Sequence, residues 1–126
     1  MASNRQLIPI YTSRGDLEAY LAYPYIYNKQ GEWIGWISPE RIVFSVHGHY
    51  VGWLADGPRI LSKLAEGFGH EKINIEMPAE GKINPPAHMP LAPLMPELTF
   101  GTIDILLEQP DLLPPVDFGE LREDMD

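Results

Sequence analysis

Hydrophobic and polar positions fall in the same order three times along the chain. Residues 10–21, 26–37 and 43–54 align without gaps. Each stretch reads apolar, aromatic, polar, two free positions, Gly, free, apolar or aromatic, free, small, aromatic, apolar. Gly15, Gly31 and Gly48 recur at spacings of 16 and 17. A fixed period marks one supersecondary unit per repeat. Pro9, Pro24, Pro39 and Pro58 fall between the units, where they do least harm to strand pairing.

Each unit predicts a β-hairpin. Thr12, Asn28 and Ser45 are equivalent and suit the first position of a type I turn. The structural-turn glycines Gly15, Gly31 and Gly48 follow three residues later, at the left-handed position of a turn closed by a Gly bulge. Period-two alternation places Leu17, Trp33 and Tyr50 on one face with Ala19, Gly35 and Gly52 and with Leu21, Ile37 and Leu54. Tyr20, Trp36 and Trp53 lie opposite, joined by Ile34 and Val51. The small row Ala19, Gly35, Gly52 implies close packing of backbones at a crowded axis. Both faces are apolar, so the second must be covered by a hairpin, the tail or another subunit.

A fourth unit is expected near residues 60–76, with Leu61 aligned to Phe44. A short helix over 62–66 is the rival reading. Residues 72–77 alternate and read as a closing strand. The expected architecture is all-β: tandem hairpins in a small ring or barrel over residues 8–77, then an extended tail over 78–126. Charge sharpens that division. Residues 1–72 are balanced, whereas beyond them only Lys82 and Arg122 oppose eleven carboxylates, which makes the net charge −9. Residues 85–96 predict an extended, polyproline-like segment. Residues 98–107 predict a strand added to a sheet edge, or a turn or two of helix from Thr102 to Glu108. The composition fits a solvated end.

The tandem segments 27–36 and 44–53 resemble the four-fold beta flower proteins, a small and mostly bacterial group. In that group hairpin repeats form petals around a pseudo-fourfold axis. The resemblance spans roughly residues 9–77. It implies a fold and carries over no catalytic residue or activity. A small PRC-barrel or SH3-like barrel is the alternative fold.

Several chemistries are excluded. With no Cys, disulfide scaffolds, thiol catalysis and Cys-ligated metals are out. Nucleic acid needs a basic surface, and an acidic tail repels phosphates and anionic membranes. No apolar run approaches the roughly 18 residues of a spanning helix, and residues 1–7 lack a signal-peptide layout. A cytoplasmic protein is expected. No cofactor is implied, and no nucleophile or phosphate-loop pattern points to an enzyme.

Two binding chemistries stand. His47 and His49 flank Gly48 and could join Asp56 or Glu71 at a metal, although polar turn residues are the plainer reading. Trp33, Trp36, Trp53, Tyr11, Tyr20, Tyr27 and Tyr50 could form an aromatic cage or line a peptide groove. The plainer reading places Tyr11, Tyr20, Tyr27, Trp36, Phe44 and Trp53 in the repeat core. In the tail, Phe100, Leu112, Leu113 and Phe118 are apolar anchors set among acidic residues. The expected function is a non-enzymatic interaction or assembly module. Its partner would be a protein, self or other, and so would include a homo-oligomer. The alternative is a small-ligand or metal-binding domain.

Overall fold

The computed structural model describes residues 7–63, 74, 76–79 and 81–115. Eight strands pair in chain order, each antiparallel to the next, in a sheet curled into a half-barrel. They are β1 (Ile8–Tyr11), β2 (Leu17–Ala22), β3 (Tyr25–Asn28), β4 (Trp33–Ile37), β5 (Ile42–Ser45), β6 (Tyr50–Ala55), β7 (Arg59–Lys63) and β8 (Thr102–Asp104). A short helix α1 (Ile105–Glu108) and a 3-10 turn (Pro110–Leu112) follow. The petals are β1–β2, β3–β4, β5–β6 and β7–β8.

The first three petals share one irregularity. Ile10 pairs with Ala19 but Tyr11 with Leu17, so Glu18 faces no partner. Ile34 is skipped in the same way between Trp33 and Gly35, and Val51 between Tyr50 and Gly52. Each bulge shifts the alternation by one residue. This corrects the faces expected from period two. Ile34 and Val51 enter the inner core with Ala19, Leu21, Ile37 and Leu54, while Trp33 belongs to a second cluster with Ala22, Tyr27 and Val46. The inner core also holds the equivalent row Ile10, Ile26, Val43 and Ile60, one aliphatic side chain per petal.

The fourth petal closes far along the chain. Leu61 pairs with Asp104 and Ser62 with Ile103, so the last strand lies within the stretch read as tail. The strand expected over 72–77 falls largely outside the described residues, and those described there carry no strand. Of the rival helix over 62–66, Ser62 and Lys63 are in β7, and the rest lies outside the described residues. Each reading of 98–107 holds in part: the added strand is confined to Thr102–Asp104, the helix begins at Ile105 and not at Thr102, and Leu98 and Phe100 lie outside both. Leu61–Asp104 repeats the pairs Tyr11–Leu17, Tyr27–Trp33 and Phe44–Tyr50. Ile105 therefore stands where Ile34 and Val51 stand, and it is fully buried in the same core. The other return strands run on past this point, but here the chain turns into α1.

Candidate functional site

The three local turns are built alike. Gly15, Gly31 and Gly48 have φ of 88°, 88° and 87°, the left-handed region where a side chain is strained. Their N–H groups donate to the carbonyls of Thr12, Asn28 and Ser45, each at 2.9 Å. The side chains of those residues accept two further turn N–H groups. Asn28 Oδ1 accepts from Gln30 and Glu32 at 3.0 and 2.9 Å. Ser45 Oγ accepts from His47 and His49 at 3.3 Å each. Thr12 Oγ1 accepts from Arg14 and Asp16 at 3.3 and 3.4 Å. At the fourth equivalent position, Ser62 Oγ is buried with no hydrogen-bond partner among the described residues.

The third turn borders a cleft of about 300 Å³, lined by Ser45, His47, His49, Tyr50, Asp111 and Leu112 among others. Its wall is mostly apolar, and of its two histidines His47 is exposed and His49 half-buried. Among the described residues, no group of three His, Asp or Glu is placed to hold a metal ion. Asp56 lies at another turn, with its Oδ1 3.9 Å from Arg41. Glu71 falls outside the described residues.

The small row sits against backbone. A Cβ at Gly35 would lie 2.7 Å from the Phe44 carbonyl oxygen, and one at Gly52 would run into the Leu61 carbonyl. Ala19 is fully buried. Tyr11, Tyr20, Tyr27 and Phe44 are buried, while Trp36 and Trp53 are half-buried. Trp36 packs on Phe44 with ring centroids 5.8 Å apart.

A belt crosses the second face. The Trp33 backbone N–H donates to the Gly81 carbonyl at 3.2 Å, and the Ile83 backbone N–H to the Gly31 carbonyl at 2.8 Å. The Tyr11 hydroxyl donates to the Pro90 carbonyl, and burial pushes that phenol above its usual pKa of 10.0. Ala92 lies against Gly15, and Met95 against Gly57. Arg59 donates to the Pro96 carbonyl at 2.6 Å. From residue 83 to 98, only every third residue is half-buried: Ile83, Pro86, Met89, Ala92, Met95 and Leu98. Three residues is one turn of polyproline helix, which fits the extended segment expected over 85–96.

The opposite side of the belt is bare. Leu91, Leu94 and Phe100 are 94%, 103% and 107% exposed. Phe100 stands in a tight turn, where the Thr102 N–H donates to the Thr99 carbonyl at 3.0 Å and Gly101 takes φ of 84°. Of the expected anchors, Phe100 is thus exposed. Leu113 is not: it is 3% exposed in the inner core, because the chain after α1 folds under the half-barrel. Leu112 packs half-buried against that core. Phe118 lies outside the described residues.

One polar cluster escaped sequence reasoning. Asp104, fully buried, accepts from the Ser13 N–H at 2.6 Å and from the Ser13 hydroxyl at 2.7 Å. The buried Arg59 donates to that hydroxyl at 2.9 Å. The chain Arg59 to Ser13 to Asp104 ties the first petal to the fourth. A carboxylate inside the apolar run Ile103-Asp104-Ile105 was the available signal.

Comparison with protein families matches residues 8–104 to the model described as 4-fold beta flower protein. No curated protein and no solved structure matches the chain.

Proposed function

The chain belongs to the 4-fold beta flower family, and on that premise we propose that it works as a non-enzymatic interaction module. The observation that carries this reading is the bare ridge of Leu91, Leu94 and Phe100, held on a belt whose other side is pinned to a rigid sheet. Burying a large apolar side chain is worth about 1.5–3 kcal/mol, so three of them supply a useful share of an interface. Exposed apolar groups that cluster mark contact sites. The non-enzymatic side is supported by Ser45, the hydroxyl beside His47 and His49. Its oxygen is taken up by two backbone N–H groups and is poorly placed to act as a nucleophile.

The test uses the full chain and the variant Leu91→Ser/Leu94→Ser/Phe100→Ser. Sedimentation across concentration reads self-association, and crosslinking in source cells reads other partners. The wild type should associate, and the variant should lose that association at an unchanged melting temperature. Monomeric behaviour throughout, with identical crosslinks in both chains, overturns the proposal. A second reading, small-ligand binding, is favoured by the cleft at the third turn. A thermal-shift screen with metabolites and divalent metals tests it, and a flat response removes it.

A further inference from the structure

We propose that the belt is a preformed proline-rich ligand, recognised by a partner domain whose groove is lined with aromatic rings and flanked by basic side chains. This rests on the interaction-module reading and names its partner class. The inward side of the belt is set by the three-residue burial period. The same period generates two outward ridges. One carries Pro90, Pro93 and Pro96, all exposed. The other carries Leu91, Leu94, Glu97 and Phe100, also exposed. Adjacent ridges make the pairs Pro90-Leu91 and Pro93-Leu94, one turn of polyproline helix apart. Aromatic-lined grooves take such pairs in successive pockets.

Anchoring supplies the second argument. The carbonyls of Pro90 and Pro96 are held from beneath by Tyr11 and Arg59. These contacts use the backbone and leave the pyrrolidine rings outward. A ligand already fixed in its bound shape loses little conformational freedom on docking. Charge selects among grooves. Glu97 continues the leucine ridge on a chain of net charge −9, so a groove edged with Lys or Arg is complementary and one edged with carboxylates is not.

The experiment titrates the labelled full chain with a panel of isolated SH3 and WW domains that differ in the charge around the groove. Binding should perturb the amide signals of Leu91, Leu94 and Glu97 and favour basic-rimmed members. Leu91→Ser/Leu94→Ser should weaken it at least tenfold, and Glu97→Lys should weaken it while removing its salt dependence. Pro90→Ala/Pro93→Ala keeps both carbonyls and so the anchoring, and it should still weaken binding. No binding by any domain, or binding that survives the leucine double variant, overturns the assignment. If the wild type associates through Leu91, Leu94 and Phe100 and no grooved domain binds, the module reading stands and this one falls. If the ridge variant also changes nothing in that assay, both fall.

Discussion

Tyr11 is a crossing point between sheet and belt. Its N–H donates to the Pro58 carbonyl at 2.9 Å, its ring is buried, and its hydroxyl holds Pro90. Burial raises the phenol pKa above 10.0, so the folded chain keeps a proton that the unfolded chain gives up. Stability from this residue is full below about pH 10 and falls as pH climbs from there to the raised folded value. Urea unfolding at about pH 8 and about pH 11 should show the wild type losing more stability than Tyr11→Phe. At the lower pH, Tyr11→Phe should start about 1 kcal/mol weaker for its lost hydrogen bond. The close-packed row was also legible residue by residue, since alternating strands rarely place Gly or Ala where a large side chain would otherwise go. The bulges were not legible. Ile34 and Val51 are as apolar as their neighbours, so a slip by one residue leaves no mark in the pattern.

At the scale of the element, four equivalent turn positions serve as a built-in control. Ser45 Oγ satisfies two N–H groups, while Ser62 Oγ satisfies none among the described residues. Ser45→Ala should cost about 1 kcal/mol. Ser62→Ala removes a buried, unpaired hydroxyl and should be neutral or stabilising by up to about 1 kcal/mol. Denaturant midpoints of the two variants check this, and equal losses would contradict the assigned hydrogen bonds. Three hairpins could be read from sequence because each turn carries its own signal within five residues. The fourth could not, since β7 finds its partner only at residue 102, after the Pro-rich segment. That partner is three residues long and contains a carboxylate, so neither length nor alternation announces it.

For the whole molecule, the stretch after residue 77 is structural as well as exposed. It delivers Ile103, Ile105 and Leu113 to the inner core and Asp104 to the junction of the first and fourth petals. Losing three buried aliphatic side chains removes about 5–9 kcal/mol, comparable with the 5–15 kcal/mol that holds a typical domain together. A chain ending at residue 77 should therefore lose cooperative thermal unfolding, as followed by circular dichroism. A sharp transition near that of the full chain would show that three petals suffice. The charge shift near residue 72 correctly marks a change in composition. It does not mark the end of the fold, because composition reports solvation and the sheet is completed by pairing.

Repetition carries a hazard of its own. Petals with the same turns, bulges and core rows are nearly interchangeable, so a strand could settle beside the wrong petal, or beside a petal of another molecule, at little cost. The belt removes that ambiguity. Ile83 meets the Gly31 turn and packs against the cluster of Ala22, Tyr27, Trp33 and Val46, Ala92 meets the Gly15 turn and Met95 the Gly57 turn, so successive belt residues meet different parts of the sheet. A segment with no ladder of its own thus gives neighbouring petals different contacts, and a near-symmetric chain acquires one arrangement.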